Sequence, residues 1–154
     1  MATGTHSDAS RAGTVLAFDF GTKRIGVAVG DTLIALAHPL ATIASSQDAQ
    51  CFAAIAALIR EWQTTYLVVG LPTHADGTAH EMTQRSRRFA RQLEGRFALR
   101  VELVDERFTT QTAGSSLRDS GIAGRAQKRV RDQVAAQLIL QAHLDQYADR
   151  RSTP

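Results

Sequence analysis

Asp19, Glu106 and Asp132 are the residues whose type and placing could do chemistry. Asp19 lies in the run from Val15 to Val29, which reads as an apolar strand, a sharp glycine-containing turn and a second apolar strand, hence a hairpin. In the first strand Val15, Ala17 and Asp19 share one face while Leu16, Phe18 and Phe20 share the other. An acid thus interrupts what otherwise reads as a buried central strand. Burying a carboxylate is costly unless it is paired, hydrogen-bonded or bound to a cation. Either Lys23 or Arg24 across the turn, or a metal ion, is expected to compensate Asp19. A turn-capping aspartate is the simpler alternative. Glu106 follows a strand pattern that alternates from Arg100 to Val104, and Asp132 opens a helix, four residues before Ala136 and eight before Leu140 on its packing face. Asp105 and Glu106 point oppositely on a strand, and Glu106 is the one taken to face the site. Three converging acids repel one another unless cations sit between them, and hard oxygen ligands favour Mg²⁺ or Mn²⁺. Two such ions about 4 Å apart can activate a water and stabilise a leaving oxygen in phosphodiester hydrolysis.

The elements that must position these acids follow from the pattern. The hairpin is followed by a short third strand over Leu33–Ala37 closed by His38-Pro39, and by a helix over Asp48–Gln63 whose apolar face carries Phe52, Ile55, Ala56 and Ile59. Tyr66–Gly70 is a continuous apolar run, the pattern of a buried parallel strand. A loop with an Asp-Gly turn leads into a basic amphipathic helix over Ala79–Arg96 with the stripe Met82, Phe89 and Leu93. The strand Arg100–Val104 comes next. A short helix is expected from Thr109 to about Ser120, then a basic, mobile loop over Gly121–Lys128 containing Arg125. A final helix from about Arg129 to Tyr147 packs through Ala136, Leu140, Leu144 and Tyr147. A meander followed by right-handed crossovers makes a mixed five-stranded sheet flanked by helices, an α/β fold whose working groups gather at the carboxyl ends of the strands. Asp19, Gly70-Leu71-Pro72 and Asp105-Glu106 then share one edge.

Length and charge narrow the function. The chain has 154 residues and 44% hydrophobic content, enough for one domain with a real core. The expected division is a polar tail over residues 1–13, a domain over 14–148 and a tail over 149–154. The first 13 residues lack the apolar core of a signal peptide and no run approaches membrane-spanning length, so a cytoplasmic protein without a membrane partner is expected. The lone Cys51 excludes an internal disulfide and falls in an apolar helical pattern, where a buried, inert thiol is expected. Between Arg85 and Arg131 there are twelve Lys or Arg against five Asp or Glu, whereas the remainder has six against ten. Sixteen of the eighteen basic residues are arginine, the side chain best shaped for bidentate phosphate contacts. That asymmetry points to a nucleic acid, with a solvated helix face as the simpler reading of any one helix. The helix bearing Arg85, Arg87, Arg88 and Arg91 would track the phosphate backbone.

The residues also carry a family resemblance. Ala17–Ala28 (AFDFGTKRIGVA), Val68–Pro72 (VVGLP), Asp76–Thr78 (DGT), Asp105–Thr110 (DERFTT) and Asp132–Gln141 (DQVAAQLILQ) together resemble the YqgF family, also called RuvX, over roughly residues 14–147. These are pre-16S rRNA nucleases and Holliday-junction-resolvase-like proteins with the RNase H-like fold. The resemblance implies that Asp19, Glu106 and Asp132 bind Mg²⁺ or Mn²⁺. It implies that Lys23, Arg24, Arg107, Thr109 and Thr110 lie near the substrate; the charge asymmetry adds Arg85, Arg88, Arg125 and Lys128 on the basic segments. It further implies structured RNA as substrate, maturation of the 16S rRNA 5′ end, and products with 5′-phosphate and 3′-hydroxyl ends. The sequence departs from better-known nucleases of this fold, which place an acid on the fourth strand. Here that strand ends in Gly70-Leu71-Pro72, and Glu106 one strand later has to supply the acid. Val130 and Asp132 are separated by Arg131, where related families have Lys-x-Val-Asp. His74 and His80 are further candidates for touching a metal or phosphate, although two loop histidines at that spacing are more often incidental.

Two other readings use the same residues. Branched DNA would replace RNA with the chemistry unchanged, and a two-fold symmetric junction would then call for a homodimer, where RNA cleavage is open to a monomer. A nucleic-acid-binding factor with little catalysis would tolerate loss of the acids so long as the arginines stayed. The phosphate-binding hairpin of sugar kinases and actin-like ATPases is also similar to the opening stretch, but those proteins need two lobes and this chain has room for one.

Overall fold

The structure is a computed structural model that describes residues 13–46, 49–72, 80–106 and 124–152; at residues 124–125 and 149–152 it describes the backbone alone. Strands β1 (Thr14–Phe20), β2 (Arg24–Asp31), β3 (Leu36–Ala44), β4 (Tyr66–Leu71) and β5 (Val101–Asp105) form one sheet in the order β3-β2-β1-β4-β5. β1 pairs antiparallel with β2 and parallel with β4, and β4 pairs parallel with β5. Three helices cover it: α1 (Ala49–Trp62), α2 (Glu81–Phe97) and α3 (Gly124–Ser152). This is the mixed five-stranded sheet flanked by helices that the sequence predicts.

The alternation in β1 sorts its side chains as the sequence pattern requires. Leu16, Phe18 and Phe20 join Phe52 and Ile55 of α1 and Phe89 and Leu93 of α2 in one core. Val15 and Ala17 face the other way, onto Ala136, Ile139, Leu140 and Leu144 of α3. β4 is buried along its whole length, as a strand covered on both faces must be. Cys51 is buried in the first core. Among the described residues no helix is long and apolar enough to cross a membrane.

Three boundaries differ from expectation. Residues 32–35 form a turn, and the third strand starts only at Leu36 and runs to Ala44. The cause is local: the Asp31 side chain accepts from Leu33 N at 2.7 Å, the Asp31 carbonyl accepts from Ala35 N at 2.8 Å, and Ala35 takes a left-handed φ of 55°. Leu33 and Ile34 therefore sit exposed on the turn. Pro39 does not end β3 because β3 is an edge strand. The register steps from Val27↔Ala41 to Ala28↔Pro39, so Leu40 is the extra residue of a bulge. Finally, α3 starts at Gly124, five residues before the expected Arg129, and runs on to Ser152. Gln127 and Lys128 are good helix formers, and a glycine and charge were poor reasons to read a loop there. The helix expected over Thr109–Ser120 lies outside the described residues.

Candidate active site

The site is built on the end of β1, and two glycines make it. Asp19 pairs with Gly26 of β2, and on the other side Phe18 pairs with Val69, so Gly70 comes next to Asp19 on β4. A Cβ on Gly26 would collide with the Asp132 carbonyl oxygen and lie 3.0 Å from Asp132 Cβ. Helix α3 thus rests its backbone directly on the sheet at the point opposite Asp19. A Cβ on Gly70 would collide with Ile139 Cδ1 and lie 2.8 Å from Glu106 Oε2. The strand that lacks an acid at its end has instead the gap into which the Glu106 carboxylate folds. Bare backbone on both neighbouring strands is what lets two further acids close over Asp19.

The electrostatics show that the three acids feel one another. Asp19 is largely enclosed by protein, and its carboxyl is pushed well above the usual carboxylate range. Burial is the main cause, followed by the charge of Glu106, the charge of Asp132 and a side-chain hydrogen bond with Glu106. Asp19 and the buried Glu106 thus form a hydrogen-bonded pair of acids. Asp132 is held differently: Arg24 Nε donates to its Oδ2 at 2.6 Å, with both side chains partly buried. The hairpin predicts compensation of Asp19 by Lys23, Arg24 or a cation. The arginine instead pairs with the distant Asp132. Among the described residues no group of three Asp, Glu, His or Cys side chains is set to grip an ion as arranged. The donor chemistry nonetheless fits a hard divalent cation. Asp19 is hydrogen-bonded to Glu106 and feels the charge of Asp132, Glu106 sits in a recess that a single Cβ would fill, and all three offer hard carboxylate oxygens.

The other candidate residues are distributed unevenly. Lys23 is exposed at the tip of the β1–β2 hairpin, one residue from Arg24. Arg85 and Arg88, with Arg87 and Arg91, are exposed on α2, and Lys128 is exposed on α3. Arg125 falls in the first turn of α3 rather than in a loop. Arg107, Thr109, Thr110 and His74 lie outside the described residues. His80 has a structural duty: its Nδ1 accepts from Met82 N at 3.2 Å, its own N–H donates to Thr83 Oγ1 at 3.0 Å, and it thereby caps α2. Thr83 Oγ1 in turn donates to the Pro72 carbonyl, tying the helix start to the end of β4.

The RuvX family profile, described as Holliday junction resolvase, matches residues 13–146. The chain belongs to the RuvX family. A relative from Nitrosospira multiformis is 56% identical over 135 residues, covering 88% of this chain and 89% of its own. Another from Methylobacillus flagellatus is 58% identical over 137 residues, covering 89% and 94%. Both bear the name "Putative pre-16S rRNA nuclease". Among solved structures, RuvC of T. thermophilus in complex with Holliday junction substrate is similar at 13% identity and a TM-score of 0.49, covering 91% of this chain and 96% of that one. That likeness adds nothing to what the strand order already says. Sequence reasoning missed the parts of this RuvX site that carry no functional group. The sequence motifs contain Gly26 and Gly70 without marking them as cradles, and they point Arg24 toward substrate with no sign of Asp132 as its partner. A pair 108 residues apart leaves no local signal.

Proposed function

We propose that this RuvX protein is a divalent-metal-dependent endonuclease that hydrolyses phosphodiester bonds in structured RNA, trimming the 5′ end of precursor 16S rRNA in the cytoplasm. The observation that carries the reading is the meeting of Asp19, Glu106 and Asp132 over two bare-backbone positions at the end of β1. Asp19, Glu106 and Asp132 would hold Mg²⁺ or Mn²⁺; such ions, when bound, supply a nucleophilic water and neutralise charge at the phosphate. The chain's own residues do the rest. Asp19 and Glu106, hydrogen-bonded to one another, would supply two of the oxygen ligands. Gly26 and Gly70 keep the floor low enough for the acids to converge. Lys23, exposed at the hairpin tip, steadies the scissile phosphate, and Arg85 and Arg88 on α2 follow the backbone on either side without reading bases. Attack of water on phosphorus breaks the bond to the 3′ oxygen, leaving a 3′-hydroxyl and a 5′-phosphate. Arg107, Thr109 and Thr110 belong to the same substrate surface by family resemblance.

Branched DNA is the second reading, favoured by the family's description as Holliday junction resolvase. The decisive experiment compares wild type with Asp19→Asn on end-labelled precursor 16S RNA and on a four-way DNA junction, with Mg²⁺, Mn²⁺ or EDTA. Metal-dependent RNA cleavage that disappears in the variant while binding persists is the expected result. Junction cleavage alone, with a dimer in sedimentation, moves the substrate to DNA. Salt-sensitive binding without cleavage of either substrate sinks the enzymatic reading and leaves a binding factor.

A further inference from the structure

The three glutamines that follow Asp132 at helical spacing have no part in the chemistry, yet all three side chains are engaged. Gln133, Gln137 and Gln141 lie at i, i+4 and i+8, one stripe of α3. That stripe lies along β3, the edge strand. Gln133 Nε2 donates to Thr42 Oγ1 at 3.0 Å, and Thr42 Oγ1 donates to the Arg129 carbonyl at 3.0 Å. Gln137 Nε2 donates to the Ala37 carbonyl at 3.0 Å. Gln141 makes a two-point contact: its Oε1 accepts from Ala37 N at 3.0 Å and its Nε2 donates to the Ala35 carbonyl at 2.8 Å. Asp145 Oδ1 accepts from the same Nε2 at 3.0 Å, which fixes the orientation of the amide. Ala37 is buried, so the outward N–H and C=O of this edge residue need partners, and the glutamines provide both.

We propose that Gln133, Gln137 and Gln141 are positioning residues: they form a ladder that sets the axial register of α3 against the sheet and thereby places Asp132 over Gly26. One further directional contact, Tyr66 Oη with His143 Nε2 at 2.6 Å, joins α3 to β4 near its far end; the apolar contacts of α3 are ill suited to this task. Ala136, Ile139, Leu140 and Leu144 pack against alanine and valine surfaces, and such contacts resist separation far more than sliding. A slip of one residue moves a helical side chain about 1.5 Å along the axis and about 100° around it. Asp132 would then leave both Arg24 and Asp19. These hydrogen bonds are directional and tie three successive turns to the Thr42 hydroxyl and to the Ala37 and Ala35 backbone. The ladder therefore acts on the site through Asp132 without touching substrate. The consequence for the metal rests on the function proposed above; the consequence for Asp132 does not.

The test uses the full chain with Gln137→Met, Gln141→Met and the double variant, since methionine keeps length and volume but cannot make these bonds. Hydrogen exchange read at the Ala37 amide comes first. It is slow in wild type and fast in Gln141→Met; a fast amide in wild type overturns the ladder outright. The register is then read without metal, in EDTA, by a double-mutant cycle between Arg24→Gln and Asp132→Asn. Coupling is present in the wild-type background and lost in the Gln137→Met/Gln141→Met background; coupling that is undiminished there, or absent from wild type, overturns the positioning role. Mn²⁺ affinity measured by calorimetry falls about tenfold in the double ladder variant, the scale found for residues that orient metal ligands. Ile55→Val, on the opposite face of the sheet, serves as a control for general destabilisation and leaves Mn²⁺ affinity unchanged. An equal fall in both variants overturns the positioning role. A wild-type protein that binds no Mn²⁺ counts against the metal reading alone, and the cycle in EDTA still decides the ladder.

Discussion

The two faces of the sheet are built to opposite rules. Under α1 and α2 the filler is aromatic: the Phe89 ring stacks on Phe20 at 4.8 Å and meets Phe18 edge-on at 6.0 Å, with Phe52 beyond at 6.5 Å. Arg96 closes that core with its guanidinium 3.9 Å from the centre of the Phe52 ring. Under α3 the sheet offers Ala17, Ala28 and Ala37 with Gly26 and Gly70, and the helix backbone comes down onto it. Large rings hold elements apart and bury apolar area. Small residues bring backbones together, which leaves less area to bury but lets polar groups be placed closely. Stability is concentrated on the first face and the candidate chemistry on the second.

Breaking the aromatic face should have the largest effect on stability. Phe89→Ala removes the ring shared by three others and should cost about 3–5 kcal/mol, as large-to-small changes of buried phenylalanine do. Chemical denaturation would show this, and cleavage per folded molecule should be unchanged at temperatures where the variant is folded. Filling the other face should reverse that balance. Gly26→Ala sets a methyl against the Asp132 backbone and Gly70→Ala sets one against Ile139 and Glu106, each costing about 1–3 kcal/mol by overpacking. The same displacement of about 1 Å at an acid should lower the cleavage rate on the order of 100-fold. If Gly70→Ala lost stability and kept full activity, the recess over β4 would not be what brings Glu106 to the site.

This contrast also explains what could be read from the chain beforehand. The sorting of Leu16, Phe18 and Phe20 from Val15, Ala17 and Asp19 follows from the two-residue period of a strand, and the acid in that period marked the site. The buried β4 was legible because both its faces are apolar. What failed were places where a short side chain rewrites the backbone locally, as Asp31 does by turning Leu33 and Ile34 out of a strand. Contacts set only by the tertiary fold failed too. Nothing near Arg24 in sequence points to Asp132, and a glycine's role as a gap is visible only when its neighbours are in place. The glutamine stripe was half legible, since spacing by four on one helix face is a pattern, although its partner strand is not.

The smallest effect sharpens the comparison most, because it has the opposite sign. Asp19 is held protonated by burial and by the charges of Glu106 and Asp132, so its folded pKa lies above its ordinary value of 3.8. A raised pKa means the folded state binds the proton more tightly than the unfolded one. The associated stability is complete below 3.8 and is lost as pH rises through the folded value. Asp19→Asn has no charge to suppress and does not follow that loss. Its Tm should match wild type near pH 3.5, rise above it as pH increases, and level off at a higher value once wild-type Asp19 is ionised. Thermal melts in EDTA across that range test the sign, and a variant less stable than wild type at neutral pH would contradict it. Adding Mn²⁺ should close the gap from below by stabilising wild type alone. No variant of the aromatic face should gain stability in this way, because among the described residues that face buries no charge whose removal would relieve it.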